Sequence, residues 1–395
     1  MAIIKKFKDF FALERNIAAI CLANILWTSI FLYRSYLPKF YEGLGASIFI
    51  VGLLFSLQFI FGGISCLIGG VLTDRYGRKK VWVPVSFVGL FLTLGYVIAP
   101  DWIYLIPVII ASYFLGGLEE SPIVTMIMES VKKRKRATAM SSVYLSGTLP
   151  HILFIPIGGW LIDNYGTVPG MRIAVLVAFF ISLLGNIVML AYSKETLKKR
   201  IKRSVTDIKQ KFVDLINLGL KIKSILSYVS LYWFIASITA AYTIFYALDV
   251  IKITAVEWGI ILSIQFAIIS IFIFLGGKIS DKYGRRPSFL ISPLISIITP
   301  IIFILSKSFY HLIVFGIFSG LGTLAYSSFY AYAADHISPS KRGRSMGILS
   351  FISYFSSIPG PIIGAFLYSI SPQYPFLATS VLSFMMFLIS FKFIH

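Results

Sequence analysis

Four ionisable side chains stand inside long apolar runs of this sequence: Arg34, Glu119, Glu120 and His151. A charge at the centre of a membrane-spanning helix costs roughly 2.5 to 3.5 kcal/mol on insertion scales, so each of these residues indicates a function or a partner. A partly desolvated carboxylate that water can reach is suited to taking up and releasing a proton. We therefore expect Glu119 or Glu120 to carry protons, with a structural ion pair as the alternative.

The two glutamates are neighbours, so they cannot share one face of a helix, because successive residues lie about 100° apart around its axis. We expect one of them to face a central cavity while the other meets helix 2 or helix 5. Glu120 is our preferred candidate for the cavity-facing position.

The other polar candidates allow more than one interpretation. Arg34 is long enough to snorkel to the outer lipid headgroups, or it binds an anionic group or pairs with a carboxylate. His151 is either a hydrogen-bonding residue in helix packing or a proton relay and substrate contact. Gln58 and Gln265 stand at matching positions in two similar apolar stretches, SLQF and SIQF, which we number helices 2 and 8. For both we expect interhelical hydrogen bonds, which are worth about 0.6 kcal/mol on average.

Twelve apolar runs are long enough to hold these residues in membrane-spanning helices, which need about 20 residues each. We predict them near residues 16–37, 47–71, 81–99, 102–128, 137–160, 171–192, 225–248, 256–279, 288–306, 310–334, 346–369 and 375–393. The outer connections are short, so neighbouring helices must run antiparallel. The predicted fold class is an all-α integral membrane protein with twelve transmembrane helices in two six-helix halves.

Composition supports this fold, because the chain is 57% hydrophobic and only 13% charged. Its net charge of +20 would suggest a nucleic-acid partner in a soluble protein. With the predicted spans, however, 31 of the 36 Lys and Arg residues fall on one side of the membrane. This asymmetry is the positive-inside rule. It predicts a plasma-membrane protein with both termini in the cytoplasm, membrane lipids as partners and no nucleic acid.

The sequence offers little to an enzyme or a metal site. Cys21 and Cys66 are the only cysteines, both within apolar runs, and the four histidines are scattered. A phosphate-binding glycine loop and the usual hydrolase and zinc signatures are absent. We therefore expect no catalytic activity, no metal and no cofactor, and uphill transport would have to use an ion gradient.

An internal repeat divides the chain. GGVLTDRYGRKK at residues 69–80 recurs as GGKISDKYGRRP at residues 276–287, 207 positions later. We interpret each copy as a short charged turn between two helices, in which Gly77 and Gly284 supply a permissive backbone and the preceding glycine pair lets helices approach closely.

The repeat predicts three parts: a first half at residues 1–192, a linker at 193–224 and a second half at 225–395. The linker is strongly basic. It is predicted either to form an amphipathic helix from about Ser204 on the inner membrane surface or to be a flexible tether. Asp249 and Glu257 are expected at the outer ends of helices 7 and 8, where acidic residues are solvated, with an outer gate as the alternative.

The repeated pattern resembles the signature loop between the second and third helices of the major facilitator superfamily. The first copy matches at Gly70, Leu72, Asp74, Arg75, Gly77, Arg78 and Lys79, and the second at Gly277, Asp281, Lys282, Gly284, Arg285 and Arg286. The resemblance implies a secondary transporter that works by alternating access, with a substrate site near the bilayer midplane between two parallel halves. It also implies that helices 1, 4 and 5 line or adjoin that site.

The resemblance further implies an inner gate on the cytoplasmic side. There Asp74 would meet the N-terminus of helix 11, where the helix dipole favours a carboxylate, and basic loop residues would pair with an acid ending helix 4. Glu129 fits that acid, and Asp335 is its counterpart for Arg285. The remaining residues of the implied gate are Gly70, Arg75, Gly77, Arg78, Arg136, Asp281, Gly284 and Arg342. These contacts would hold the outward-open state, unless the loops only set topology.

The chain departs from the drug-antiporter branch of this family. Ile155 stands where a glycine is expected in helix 5, helix 1 lacks an internal carboxylate and helix 4 lacks an arginine. The predicted function is a proton-coupled secondary transporter of a small organic solute, acting as a monomer. The alternatives are a uniporter or sugar-type facilitator without proton coupling and, from another class, a non-transporting membrane receptor or assembly factor.

Overall fold

The computed structural model describes the chain at residues 14–132, 136–197, 220–284, 286–324 and 342–393. Within these ranges the protein is helical and has no strand. Eleven of the described helices are long and apolar enough to cross a membrane, and a shorter apolar helix makes a twelfth.

We number these helices α1 to α12 in chain order. The first half contains α1 Arg15–Arg34, α2 Ile48–Tyr76, α3 Arg78–Ile98, α4 Trp102–Ser130, α5 Arg136–Thr148 continued by His151–Tyr165, and α6 Thr167–Tyr192. The second contains α7 Leu220–Thr239 continued by Thr243–Phe245 and a π-helical turn Tyr246–Val250, α8 Ala255–Tyr283, α9 Arg286–Leu305, α10 Phe309–Leu321, α11 Arg342–Ser357 continued by Pro359–Ile370, and α12 Tyr374–Phe393. Each predicted span overlaps one of these helices, so the predicted fold is confirmed.

The outward faces of the bundle are apolar. Leu153, Phe180 and Val381 are each more than 60% exposed, although side chains of this kind are normally buried in water-soluble proteins. Lipid tails solvate such faces, and each helix satisfies its own backbone hydrogen bonds, as a membrane interior requires. The protein is therefore a multi-pass membrane protein.

The first signature stretch is more helical than the sequence predicts. Residues 69–76 belong to the end of α2 and Arg78 begins α3, so only Gly77, with φ +116°, leaves the helix. The predicted spans left residues 72–80 between the helices, and the turn is shorter than that because one glycine at positive φ is enough to reverse the chain. Gly284 has φ +83° at the equivalent place in the second copy.

Gly69 has a different role from Gly77, since it lets α2 lie against α4. A Cβ atom at position 69 would stand 2.8 Å from the carbonyl oxygen of Leu118. This is the close helix approach that the glycine pair predicts.

Two seams join the halves. In one, α2 packs against α11, and in the other α5 packs against α8. In the internal repeat, α8 corresponds to α2 and α11 corresponds to α5. Each seam therefore joins the second helix of one half to the fifth helix of the other. The space between the seams is where the halves face each other. The predicted amphipathic helix at Ser204 lies outside the described residues.

Candidate functional site

Glu120 connects the halves across the seam between α2 and α11. Its Oε1 accepts a hydrogen bond from the Tyr354 hydroxyl at 2.7 Å, and its Oε2 lies 3.7 Å from the Cys66 sulfur, which donates to it. Tyr354 belongs to α11 of the second half, whereas Cys66 and Glu120 belong to α2 and α4 of the first. Both carboxylate oxygens therefore have a donor, and one donor comes from the opposite half.

Two glycines of α2 give Tyr354 its position. A Cβ atom on Gly62 would stand 2.8 Å from a ring atom of Tyr354, and one on Gly63 would stand 3.0 Å from its Cβ. Larger residues at these positions would push α11 away from α2. The glycine pair thus brings the tyrosine hydroxyl within reach of Glu120.

Glu119 is also half-buried, but it lies on a different side of α4. Among the residues that the structure describes, none donates a hydrogen bond to its carboxylate or forms an ion pair with it. The structure thus separates the adjacent glutamates: Glu120 contributes to the seam between the halves, and Glu119 does not.

Arg34 reaches the middle of the bundle. Its guanidinium carbon lies 5.6 Å from the ring centre of Tyr113. Tyr113 is 11 residues into α4 from Trp102, which is a depth of about 16 Å at 1.5 Å per residue. Arg34 therefore does not extend to the outer headgroups, and the snorkelling interpretation does not describe this conformation.

Four tyrosines from both halves surround the Arg34 guanidinium closely enough to interact with it electrostatically: Tyr33, Tyr96, Tyr113 and Tyr354. The arginine is nevertheless exposed. A side chain placed between residues of both halves and still accessible must face the space between them. Arg34 is thus a cation in the central space.

His151 contacts aromatic rings of both halves, stacking on Phe266 and meeting Phe31 edge-on. Its ring centre lies 4.3 Å from Phe266 of α8, with the planes 25° apart, and 3.8 Å from Phe31 of α1. Its Nδ1 lies 2.9 Å from the carbonyl oxygen of Thr148. The imidazole is buried and occupies the α5–α8 seam, beside the central space.

Gln58 and Gln265 make bonds within their own halves. Nε2 of Gln265 donates to the Ser319 hydroxyl at 2.8 Å and so ties α8 to α10. Nε2 of Gln58 lies 3.4 Å from the hydroxyl of Tyr41, in the short helix Leu37–Gly43. Neither bond crosses between the halves.

The end of the bundle that carries Gly77 and Gly284, here called the signature side, contains an ion pair whose arginine is buried and whose main acid, Glu129, is exposed. Arg78 is 4% exposed, and its guanidinium lies 2.8 Å from Oε1 of Glu129 and 3.5 Å from Asp74. It also donates to the carbonyl oxygen of Thr73 at 3.1 Å. The pairing of loop arginine and helix-4 acid is therefore present, and it lies within the first half.

Glu195, which the sequence analysis did not single out, caps α3. Its carboxylate accepts hydrogen bonds from the backbone N–H groups of Arg78 at 2.9 Å and Lys80 at 3.3 Å. Burial alone would raise the pKa of Glu195, but these bonds and those from Thr196 and Leu197 lower it below the ordinary value. The segment after α6 thereby holds the signature loop.

Thr196 strengthens the same attachment, because its hydroxyl donates to Oε2 of Glu129 at 2.6 Å. The other predicted gate residues are less informative. Arg75 places its guanidinium 5.2 Å from the ring of Tyr76. Arg285 and Asp335 lie outside the described residues, as do the side chains of Arg136, Asp281 and Arg342.

The opposite end of the bundle, here called the far side, has charged contacts that cross between the halves. Nζ of Lys39 lies 2.8 Å from Oδ1 of Asp249, and Glu42 also pairs with the lysine. Burial alone would lower the pKa of Lys39, but the bonds to Asp249 and Glu42 raise it above the ordinary value. For Asp249 the sequence left solvation and an outer gate as alternatives, and its pairing with the first half favours the gate.

Asp163 makes a second far-side connection. Its two carboxylate oxygens accept hydrogen bonds from the backbone N–H groups of Ala255 and Val256, each at 2.9 Å. Those groups belong to the first turn of α8, where the helix dipole favours a negative charge. An acid ending α5 in one half therefore caps a helix of the other.

Aromatic side chains complete the far-side closure. The hydroxyl of Tyr36 lies 2.9 Å from the carbonyl oxygen of Ile155 and 3.1 Å from that of Ala255. Tyr36, Phe40, Tyr242 and Phe245 are each 0% exposed. The far side is sealed in this conformation.

Comparison with known proteins identifies the family. The sequence model of the Major Facilitator Superfamily matches residues 19–254 and 225–395, and thus nearly the whole chain. The chain belongs to this superfamily of transporters, as its signature loops predict, and it is a transporter rather than an enzyme.

Two curated relatives give the likeness more detail. Over 349 residues the chain is 26% identical to the proton-coupled antiporter flippase LtaA of Staphylococcus epidermidis, which covers 85% of this chain and 82% of the relative. It is 30% identical over 133 residues to the class B tetracycline resistance protein of Escherichia coli, covering 34% and 33% of the two chains.

Solved structures share the fold. The nucleoside transporter NupG superposes with a TM-score of 0.76 at 16% identity, over 97% of this chain and 99% of that one. A bacterial homologue of the human lysosomal transporter Spinster, in an inward-facing and unoccupied conformation, gives a TM-score of 0.74 at 15% identity, over 97% and 98%. At these identities the likeness concerns the fold alone.

Proposed function

We propose that this protein is a proton-coupled secondary transporter that moves a small organic solute across the cell membrane by alternating access. Glu120 is the group that carries the proton. The observation that supports this assignment is the hydrogen bond from Tyr354, which joins an acid of the first half to a tyrosine of the second.

The chemistry of that bond links protonation to movement of the halves. An ionised carboxylate is a stronger hydrogen-bond acceptor than a neutral acid, and charge-assisted bonds are roughly twice as strong as neutral ones. Protonating Glu120 therefore weakens its bond to Tyr354 and lowers the cost of separating α2 from α11. A proton then shifts the population of conformers in proportion to its preference for one of them.

Glu119 remains the alternative proton carrier. It is half-buried next to Glu120 and has no hydrogen-bond donor among the described residues. A carboxylate without hydrogen-bond donors has little to stabilise its ionised form, so Glu119 could bind a proton. Binding that proton would not, however, break or weaken a contact between the halves. For this reason Glu120 fits the coupling function better.

The relatives support proton coupling and add a second candidate substrate class. LtaA is named a proton-coupled antiporter flippase, and its likeness extends over 85% of this chain. Movement of an amphiphilic molecule between the two leaflets is accordingly the second candidate function. A uniporter, in which both glutamates are structural, would show no dependence on a proton gradient.

We also propose the orientation of the protein. The signature side and both termini face the cytoplasm in this proposal, and the far side faces outward; the excess of Lys and Arg on the signature side supports it. Arg285 and Asp335 would then form the second-half counterpart of the pair between Arg78 and Glu129.

The test begins with a ligand. A thermal-shift screen of the purified protein against diverse solutes and lipids, at pH 5.5 and pH 8, identifies compounds that raise its melting temperature by binding the folded state. The compound with the largest shift is then followed in proteoliposomes with and without a pH gradient.

In that assay Glu120→Gln should abolish transport driven by the pH gradient while leaving exchange of the solute at equal pH. Glu257→Gln is the matched control, because Glu257 is a half-buried acid on the far side whose side chain accepts a hydrogen bond from the backbone of Thr254, at the start of its own helix. Gradient-driven transport at the wild-type rate in Glu120→Gln would exclude Glu120 as the coupling residue.

A further inference from the structure

Arg34 is a cation in the central space with no acidic partner among the residues that the structure describes. None of those residues accepts a hydrogen bond from its guanidinium, and none of their carboxylates lies within ion-pair distance. Its contacts are the faces of Tyr113 at 5.6 Å and Phe31 at 6.0 Å. The guanidinium has five N–H donors, and none of the described residues takes one of them, so they are suited to binding an anion.

Both oxygens of Glu120 already have donors. Glu120 has Tyr354 on one oxygen and Cys66 on the other. Tyr354 bonds to Glu120 and also interacts electrostatically with Arg34. Among the described residues, no salt bridge neutralises the arginine.

An unneutralised charge at mid-depth is costly, and the aromatic contacts recover only part of that cost. A cation over an aromatic face gains about 0.5 to 2 kcal/mol, depending on how far it is desolvated. A carboxylate or phosphate group would recover more, because its oxygens match the fork of the guanidinium bidentately.

An apolar surface lies beside the cation. Phe31 contacts Arg34 and also meets His151 edge-on, with 3.8 Å between ring centres, and His151 stacks on Phe266. These three rings form an aromatic cluster that begins at the arginine and extends to the α5–α8 seam. A ligand held by Arg34 could lay an apolar body against this cluster and touch both halves at once.

We propose that Arg34 binds the anionic group of the transported molecule, a carboxylate or a phosphate, while Phe31, His151 and Phe266 hold its apolar or aromatic body. The inference rests on the proposed function for the role of this site in transport, but binding itself requires no proton coupling. It narrows the substrate class from small organic solutes to amphiphilic anions. The anion can belong to a soluble aromatic acid or to a lipid headgroup, since Arg34 would bind the same chemistry in both.

The test uses matched pairs of probes that differ only in charge. Purified full-length protein in detergent receives 2-naphthoate or its neutral amide, and separately a short-chain phosphatidic acid or the corresponding diacylglycerol. Binding is measured as the concentration dependence of the melting temperature. Wild-type protein is compared with Arg34→Gln, Arg34→Lys and Lys307→Gln.

Lys307→Gln removes the same charge from an exposed site on the far side and serves as the control. We expect at least one anionic probe to stabilise wild-type protein and Lys307→Gln more than its neutral partner does. Arg34→Gln should weaken that binding at least tenfold. Arg34→Lys keeps the charge but loses the planar guanidinium that binds two oxygens at once, so its affinity for the anion should lie between those of wild type and Arg34→Gln. A response to naphthoate identifies a soluble acid as the source, and a response to phosphatidic acid alone identifies a lipid headgroup.

Three results would overturn the proposal. They are equal binding of charged and neutral partners, undiminished binding of the anion by Arg34→Gln, and binding of no anionic probe by wild-type protein. If Arg34→Gln does not fold, wild-type affinity in Arg34→Lys is the contradicting result. Failure here would leave the dependence of transport on Glu120 intact, so the two proposals are separable.

Discussion

The two ends of the bundle hold their charges in different ways. On the far side, Lys39 and Asp163 bind groups of the opposite half. On the signature side, the described contacts of Arg78 and Glu195 stay within the first half and the start of the linker. The far-side contacts must therefore break for the bundle to open there. The signature loop of the first half, in contrast, can move together with Glu129 and Glu195 without breaking these contacts.

The far-side contacts are individually weak. The Lys39–Asp249 pair is partly exposed, and such pairs are worth about 0 to 1 kcal/mol. Helix caps like that of Asp163 are worth about 0.5 to 2 kcal/mol. A seal made of several weak contacts and a cluster of aromatic rings can open and close, as alternating access requires.

The largest expected effect comes from Gly159, which lies against α8 on the far side. A Cβ atom there would overlap the carbonyl oxygen of Ala255 in the opposite half, and neither backbone can yield. We expect Gly159→Ala to prevent far-side closure. Spin labels at positions 165 and 310, on the far side of different halves, should report a longer distance in the variant.

Gly89→Ala is the control for that experiment, because an added Cβ at position 89 meets no atom within 4 Å. The labels would be attached in a Cys21→Ala, Cys66→Ser background, in which the serine hydroxyl keeps a hydrogen-bond donor beside Glu120. An unchanged distance in Gly159→Ala would show that the far-side contact between α5 and α8 does not keep the halves together.

A smaller effect is expected from the far-side charges. Asp163→Asn weakens the cap on α8 by about 1 kcal/mol, which corresponds to a roughly fivefold shift from closed to open. Asp249→Asn should shift the same equilibrium less, and its effect should decrease with added salt because the pair is partly exposed. The distance distribution between the two labels measures both. A larger shift in Asp249→Asn would reverse our order of the two contacts.

The smallest effect concerns the signature side and depends on pH. The pKa of Glu195 is lower in the folded protein than its ordinary value, so its bonds stabilise the fold above that ordinary value and are lost as pH falls through the folded pKa. Glu195→Gln should lower the melting temperature at pH 7, and the difference from wild type should shrink toward pH 4. A difference that grows on acidification would contradict the capping role of the ionised carboxylate.

Much of this architecture could be predicted because local sequence determines it. The length of the apolar runs predicts the helices, and the glycine in each signature copy predicts a reversal at positive φ. The pairing of Arg78 with Glu129 followed from the family resemblance. None of these features requires knowledge of how the two halves dock.

The contacts that were not predicted depend on how the two halves pack together or on the length of a side chain. Asp163 and Ala255 are 92 positions apart, and Lys39 and Asp249 are 210 apart. Each acid stands at a helix end, where solvation alone would explain it. The sequence left the interpretation of Arg34 open for a similar reason, because its position near the end of α1 does not reveal that its guanidinium lies beside Tyr113.

Protonation of Glu120 should loosen the contact between the halves. The most direct measurement is the distance between labels at positions 165 and 310 across a pH series, in wild type, Glu120→Gln and Tyr354→Phe. We predict that the distribution changes between pH 8 and pH 5.5 in wild type and stays constant in Glu120→Gln. In Tyr354→Phe the response should be reduced, because the bond that senses the proton is missing. A full pH response in Glu120→Gln, or none in wild type, would contradict the account.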